Sequence, residues 1–220
     1  GQFRVDPGFG QAFRYGWVAD TMFPNTEDTV GAMSGFAADL VLHGGDIVYQ
    51  TNPYDTWVHF SKILSPITEK SLIAMTLGNH DVEDFDEVNV MYDRLYMPQG
   101  DSGAFRYNAY SYGGIRFIHV DTESERYGFG DQVVGMLEFM RDELQKTQES
   151  EELHFAVVVM HRPMYTLGKY WKEDPTERDV WHNLFVEYGV KMVYCGHAHN
   201  YERFVVDDIQ YIVDGGGGAF

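Results

Sequence analysis

The chain has 220 residues, of which 44% are hydrophobic and 15% aromatic, enough for a single globular domain over residues 1–220, either alone or within a longer chain. Its formal net charge of −18 at pH 7 argues against binding to a nucleic-acid backbone. No segment approaches the ~20 consecutive apolar residues that a membrane span requires, so no membrane span is expected.

Apolar segments of strand length alternate with amphipathic segments along the chain, and this pattern predicts an α/β domain. The first two apolar segments, residues 13–19 and 39–45, are each followed by an aspartate, Asp20 and Asp46. An aspartate at a strand end often only caps a helix. These two residues alone therefore do not establish a functional site.

More polar side chains follow at the next strand ends. Tyr49 comes three residues after Asp46 and is expected on the same loop. The third apolar segment, residues 71–77, opens into Gly78-Asn79-His80-Asp81. A run of polar side chains directly after a buried strand is costly if it serves structure alone, because buried polar groups lose their hydration. This run is therefore interpreted as functional.

The remaining segments predict supporting elements. A hairpin is expected around Gly113-Gly114, since paired glycines favour a primed two-residue turn. Hydrophobic periodicity and cap residues predict helices over residues 26–38, with Asn25 or Thr26 as the N-cap, from near Asp131 to Thr147, and over residues 175–188. Further strands are predicted over residues 155–160, 190–194 and 209–213. His119 is interpreted as a core histidine or as one that supports a site.

Histidines follow two of these later strands. His161 and Arg162 come directly after residues 155–160, and His197 and His199 lie on the loop after residues 190–194. A lone His-x-His pair is a weak signal, but histidines on a loop leaving a strand can be aimed at one metal ion. The closing glycines 215–218 are given no phosphate-binding role, because no Lys-Ser or Lys-Thr follows them.

Taken together and in order, these groups resemble the five-block signature of the calcineurin-like metallophosphoesterases. The blocks are Asp20, Gly45-Asp46-x-x-Tyr49, Gly78-Asn79-His80-Asp81, His161, and Gly196-His197-x-His199. The Asp-x-x-Tyr spacing and the following Tyr201-Glu202-Arg203 are similar to the purple acid phosphatases, whose tyrosinate binds ferric iron. The resemblance implies a four-layer α/β/β/α sandwich of two mixed sheets with flanking helices and with all ligand loops at one edge.

The resemblance also implies a centre with two metal ions. Asp20, Tyr49 and His199 would hold Fe(III). Asn79, His161 and His197 would hold a second, divalent ion, either Zn, Mn or Fe. Asp46 would bridge the two. Carboxylate and phenolate oxygens suit a hard ferric ion, and imidazoles with an amide oxygen suit a divalent one.

The function implied is hydrolysis of phosphate monoesters by a metal-bound hydroxide, that is, an acid phosphatase. His80 would contact the phosphate and protonate the leaving group, with Asp81 as a second catalytic residue, while Asn79 and Arg162 would contact substrate. An ion pair without a substrate role is the alternative for Arg162. Asp81 stands where the purple phosphatases usually have glutamate, and Thr21-Met22 follows Asp20 where the superfamily usually has x-Gly.

Two alternatives remain open. A phosphodiesterase or nucleotide hydrolase of the same superfamily would use the same ligands, and a non-catalytic binding protein would carry a degenerate metal site. The expected substrate is a phosphorylated small molecule or phosphoprotein. The family resemblance implies a location outside the cytoplasm, such as secretion, a vacuole or lysosome, or a periplasm. The single cysteine, Cys195, cannot form an internal disulfide and leaves the compartment open.

Overall fold

The computed structural model describes residues 5–22, 25–49, 53–82, 106–123, 130–168 and 175–219. Two β-sheets form its centre. The smaller has the strand order β1-β2-β3, and its strands are β1 (Tyr15–Val18), β2 (Leu40–His43) and β3 (Leu72–Met75). Both strand pairings in this sheet are parallel.

The larger sheet has six strands in the order β4-β5-β6-β7-β9-β8. They are β4 (Asn108–Tyr112), β5 (Ile115–His119), β6 (Phe155–Met160), β7 (Met192–Cys195), β8 (Tyr201–Val206) and β9 (Ile209–Asp214). The four inner strands are mutually parallel, and β4 and β8 at the two edges run antiparallel to their neighbours. This sheet is mixed as expected, whereas the described strands of the smaller sheet are all parallel.

The described helices are α1 (Thr26–Phe36), α2 (Pro53–Thr68), the single turn α3 (Asn79–Val82), α4 (Gly130–Glu149) and α5 (Pro175–Glu187). None of them is long and apolar enough to cross a bilayer. The predicted first helix ends earlier than expected, because Ala37 adopts a left-handed conformation with φ of 52°. The hairpin is confirmed, and Gly113 and Gly114 both have positive φ, as a type I′ turn requires.

Side-chain alternation along the strands explains the layers. Leu40 and Leu42 of β2 face the larger sheet and pack with Phe117 and Val157, while Val41 between them packs on the outer side. That outer side is covered by α1 and α2, and the outer face of the larger sheet is covered by α4 and α5. The four-layer α/β/β/α arrangement is therefore confirmed.

Three elements have no counterpart in the sequence prediction: the helix α2, the single turn α3 and the edge strand β8. In β8, exposed and partly buried residues alternate, and Phe204 and Val206 face the core beneath α5. The sequence motif groups Tyr201-Glu202-Arg203 with the loop of the site. In the structure these residues begin a strand. Residues 201–203 belong both to the motif and to β8. Their assignment to the motif therefore obscures the strand-like alternation of exposed and partly buried side chains.

The buried His119 at the end of β5 predicts acid sensitivity of the fold. Burial lowers the pKa of its imidazole to about 3, against an ordinary value of 6.5. The unfolded chain therefore takes up the proton first, and stability is lost as the pH falls below about 6.5. The variant His119→Gln cannot take this charge. We expect the loss in free energy of unfolding between pH 7 and pH 5, measured with urea, to be about 2 kcal/mol smaller in this variant. An unchanged pH dependence would contradict this expectation.

Candidate metal centre

The polar groups of all five blocks converge where strands of the two sheets end. Asp20 follows β1, Asp46 follows β2 and His197 follows β7. The main-chain N–H of Asp20 donates to the carbonyl of Gly45 at 3.0 Å, and the N–H of His197 donates to Asp20 Oδ2 at 2.8 Å. The carboxyl ends of parallel strands meet at one edge, so loops from both sheets surround a single point.

The backbone at this edge is unusual. Asp20, Asp46 and His197 have φ of 59°, 48° and 67°, in the left-handed region that non-glycine residues seldom occupy. His197 is the central residue of a three-residue turn closed by a 2.8 Å bond from the N–H of Ala198 to the carbonyl of Gly196. Such conformations cost on the order of 1–3 kcal/mol each and are kept where the surrounding structure fixes them.

The first ligand cluster is centred on the hydroxyl of Tyr49. Its Oη lies 3.1 Å from each of Asp20 Oδ1, Asp46 Oδ2 and His199 Nε2. Burial raises the pKa of Tyr49, and the carboxylates of Asp20 and Asp46 raise it further. The phenol can therefore ionise here only if a cation supplies compensating charge. The phenol oxygen, with two carboxylate oxygens and one imidazole nitrogen each 3.1 Å from it, forms a donor set that fits such a cation.

The second cluster contains Asp46, His161 and His197, whose ligand atoms all lie within 4.8 Å of one another. His161 Nε2 lies 3.3 Å from Asp46 Oδ2, 3.2 Å from His197 Nδ1 and 3.2 Å from Asn79 Oδ1. His161 Nδ1 donates to the carbonyl of Gly44 at 2.8 Å, so Nε2 is the nitrogen presented to the cluster.

The electrostatics of this cluster favour positive charge. Burial opposes a charge on His161, but Asp46 outweighs this effect and raises the pKa of His161 to about 10. Burial likewise opposes the ionised form of Asp46, but His161 keeps the pKa of Asp46 below its usual range. His197, by contrast, has its pKa lowered to about 2 by burial and by the nearby His161 and Arg162. A bound cation would replace the His161 proton and supply the positive charge that the buried Asp46 carboxylate requires.

His80 lies on the accessible side of the first cluster. Its ring centroid is 4.3 Å from that of Tyr49, and its main-chain N–H donates to Asp46 Oδ1 at 2.9 Å. The residue is partly exposed, unlike Asp20 and Asp46. It is thus placed where an incoming molecule could meet it.

Asp81 has a different environment from the one expected. It is fully buried, and its carboxylate accepts from the main-chain N–H groups of Ile47, Val48 and Gly78 at 2.9, 3.2 and 2.8 Å. The catalytic role of Asp81 stays a prediction, and these contacts indicate that its carboxylate also supports the backbone of the site. It ties the Asp46 loop to the Asn79 loop, because one carboxylate holds amides of both.

Arg162 forms the ion pair that was the alternative to a substrate role. Its Nε lies 2.8 Å from Oε1 of Glu123, and its Nη2 lies 2.8 Å from Oε2. Its Nη1 lies 3.0 Å from His197 Nε2. Glu123 is absent from the sequence-based site. Its signal is the polar run Asp121-Thr122-Glu123 directly after β5, which parallels the blocks after the other strands.

His43 is a second residue that the sequence analysis missed, because it ends an otherwise apolar strand. It is fully buried, and burial lowers its pKa to about 3. Its Nδ1 accepts from the N–H of Gly45 at 3.3 Å, and its Nε2 is 3.1 Å from Thr21 Oγ1, which donates to the carbonyl of Ile47. His43 and Thr21 therefore link the Asp20 and Asp46 loops without adding charge.

The closing glycines support the same loops. The N–H of Gly217 donates to the carbonyl of Ala19 at 2.9 Å, and the N–H of Ala219 donates to that of Asp20 at 3.0 Å. A Cβ on Gly217 would lie 2.1 Å from the Ala19 oxygen, so only glycine allows this approach. The segment packs against a ligand loop, in keeping with the absence of a P-loop motif.

Comparisons with known proteins show the family of the chain. A model of the calcineurin-like phosphoesterase family matches residues 13–201. The chain is 25% identical over 174 residues to purple acid phosphatase 21 of Arabidopsis thaliana. That alignment covers 76% of this chain and 39% of the phosphatase. It is 26% identical over 183 residues to a nucleotide pyrophosphatase/phosphodiesterase of Hordeum vulgare, which covers 75% of this chain and 48% of that protein. The chain thus spans less than half the length of these two relatives.

The fold is also similar to a solved structure, that of purple acid phosphatase PPD1 from yellow lupin seeds. The TM-score is 0.79 at 20% sequence identity, and the match covers 97% of this chain and 46% of that chain. At this identity the likeness concerns the fold alone.

Proposed function

The chain belongs to the calcineurin-like phosphoesterase family, and from this premise we propose that it is a two-metal hydrolase of phosphate monoesters. The observation that carries the proposal is the position of Asp46, which lies in both ligand clusters. Its Oδ2 is 3.1 Å from Tyr49 Oη in the first and 3.3 Å from His161 Nε2 in the second. One carboxylate shared by two adjacent donor sets is suited to bridging two cations.

Each cluster would hold one ion. Asp20, Tyr49 and His199 are proposed as ligands of the first, and Asn79, His161 and His197 as ligands of the second. When bound, such a pair lowers the pKa of coordinated water, polarises phosphoryl oxygens and stabilises the transition state of an in-line displacement. The oxygen-rich first set suits Fe(III), and the second set suits Zn, Mn or Fe(II).

The remaining residues would act on the substrate directly. His80, on the accessible side of the centre, would contact the phosphate and give a proton to the departing alkoxide. The side-chain amide of Asn79 and the guanidinium of Arg162 would contact phosphoryl oxygens. The overall charge of −18 would repel an anionic substrate, so binding would depend on the local positive charge of the metal ions and Arg162.

The Tyr49 assignment predicts a colour. A phenolate bound to Fe(III) gives a charge-transfer band in the visible, so protein purified without chelator should be violet or pink. Tyr49→Phe should abolish the band, because the phenolate oxygen is lost, and leave the far-UV circular dichroism spectrum unchanged. Tyr15→Phe is the matched control, since Tyr15 is a tyrosine of β1 whose hydroxyl lies 3.0 Å from that of Tyr194, away from the ligand atoms.

One result would contradict the proposal that Tyr49 is a tyrosinate ligand without contradicting the proposed hydrolase function. This is wild-type protein that contains iron and a second metal but has no visible band that Tyr49→Phe removes.

Substrate choice tests the function itself. Metal-loaded protein should hydrolyse 4-nitrophenyl phosphate with a much higher kcat/KM than bis(4-nitrophenyl) phosphate, because a monoester presents more terminal oxygens to the metals and Arg162. The reverse preference would favour the second candidate, a phosphodiesterase or nucleotide hydrolase, to which the similarity with the barley enzyme points. Full metal content with turnover of neither substrate would favour a non-catalytic binding protein.

The partner proposed is a phosphorylated small molecule or a phosphoprotein. A location outside the cytoplasm is proposed on family resemblance. Activity with a phosphoserine peptide compared with a sugar phosphate would separate the two substrate types.

A further inference from the structure

A buried carboxylate holds two of the three guanidinium nitrogens of Arg162. Its Nε and Nη2 face the two oxygens of Glu123, at 2.8 Å each. The Glu123 side chain has no exposure, whereas that of Arg162 retains 21%. Thr122 also donates to Glu123 Oε1 and accepts from the N–H of Arg162, at 3.2 Å in both bonds. The third nitrogen, Nη1, is thus directed away from the buried carboxylate.

That third nitrogen contacts a proposed metal ligand. Nη1 lies 3.0 Å from Nε2 of His197, and the other ring nitrogen of His197, Nδ1, lies 3.2 Å from His161 Nε2 inside the second cluster. A guanidinium can only donate, so a hydrogen bond here requires that His197 Nε2 be the acceptor. Arg162 therefore favours the form of His197 whose hydrogen is on Nδ1.

Metal binding requires the opposite arrangement. A histidine that coordinates through Nδ1 must offer its lone pair there and carries its hydrogen on Nε2. Two donors would then face each other across the 3.0 Å between Nε2 and Nη1. The Arg162 bond and coordination by His197 Nδ1 are thus mutually exclusive, and Nη1 must find another acceptor when the second ion binds.

We propose that Arg162 changes partners on metal binding, leaving His197 and donating Nη1 to a phosphoryl oxygen of the substrate or of the phosphate product. Glu123 is a positioning residue that keeps the guanidinium in place during the exchange. This proposal rests on the proposed function, because it assumes an anionic phosphate ligand beside the second ion. The exchange makes metal binding and phosphate binding mutually favourable. Metal binding frees Arg162 Nη1 from His197 for the phosphate, and phosphate binding draws Nη1 away from His197 and so favours the form that coordinates the metal.

The test measures binding without turnover. The dissociation constant of Zn²⁺ at the second site is obtained by competition with a chelator in the absence of phosphate, and that of inorganic phosphate by calorimetry on the Zn-loaded protein. Arg162→Lys keeps the positive charge but loses the several N–H donors of the planar guanidinium. The variant should therefore bind phosphate at least about ten-fold more weakly. Zn²⁺ should bind as tightly as in the wild type, or up to about ten-fold more tightly, because the competing donor at His197 is no longer fixed.

The matched control is Arg116→Lys. Arg116 also forms an ion pair with a buried glutamate, because its Nε lies 2.7 Å from Oε2 of Glu143. Arg116 lies on β5, away from the ligand loops. It should change neither dissociation constant. Glu123→Gln is the second variant, in case Arg162→Lys does not fold. It retains the guanidinium but loosens its position, and phosphate binding should weaken several-fold while Zn²⁺ binding persists.

Two outcomes would overturn the proposal. One is a loss of Zn²⁺ affinity in Arg162→Lys with no separate loss of phosphate affinity, which would make Arg162 only a support for His197. The other is ¹⁵N NMR of the Zn-loaded wild type in which His197 Nε2 carries no hydrogen. Both are independent of catalysis. A protein that shows the exchange but hydrolyses no monoester would contradict the proposed function alone.

Discussion

Replacing Asp46 with asparagine is expected to lower monoester turnover by about a thousand-fold or more and to weaken both metal sites at once. The carboxylate lies in both clusters, and a neutral amide cannot offer a charged oxygen to each ion. Metal ions contribute several kcal/mol of transition-state stabilisation, and each 1.4 kcal/mol is about ten-fold in rate. The measurements are kcat/KM and metal content after dialysis against a weak chelator.

His161→Ala provides the contrast for this variant. It removes a ligand of the second cluster alone, so that ion should be lost while the Tyr49 cluster keeps its ion and its visible band. Two metals per chain and near-normal turnover in Asp46→Asn would show that Asp46 does not bridge the sites.

The second large effect is expected at His80. Removing the proposed proton donor with His80→Gln should lower kcat by about 10²–10⁴ for substrates whose leaving group needs a proton, such as glycerol phosphate. The loss should be much smaller for 4-nitrophenyl phosphate, because nitrophenolate leaves readily without protonation. Metal content should remain at the wild-type level, since the side chain of His80 is not among the proposed ligands.

His59→Gln is the matched control, because His59 is an exposed histidine on α2. Equal losses with both substrates would show that His80 binds phosphate without acting as the acid. No loss with either substrate would exclude it from the reaction.

The residue types at the strand ends were sufficient to predict the fold class and to indicate the candidate ligands. Asp20, Asp46, Asn79, His161 and His197 each follow an apolar segment, and parallel strands bring such positions to one edge. Only geometry could show that the ligand atoms of Asp46, His161 and His197 lie within 4.8 Å of one another. The helix α2 was not predicted, although its buried Trp57, Phe60 and Leu64 recur at helical spacing.

Roles set by long-range contacts could not be read from the chain. Asp81 follows His80 and resembles a catalytic carboxylate, but its oxygens face amides more than thirty residues away at Ile47 and Val48. Glu123 meets Arg162 across 39 positions of sequence. The residue type is the same for a carboxylate that meets substrate and for one that holds two loops together. Burial and partners distinguish them, and both arise only when the chain has folded.

The left-handed backbone at Asp20, Asp46 and His197 also limits how this site could decay in evolution. Aspartate, asparagine, histidine and glycine tolerate that conformation best, whereas β-branched residues adopt it at considerable cost. In a descendant that no longer needed metal ions, selection would no longer act on the ligand atoms. The left-handed backbone of the three loops would still restrict which residues fit at these positions. Its sequence should therefore drift toward asparagine or glycine at these positions and seldom toward valine or isoleucine. Such residues would mark the former site after its chemistry had gone.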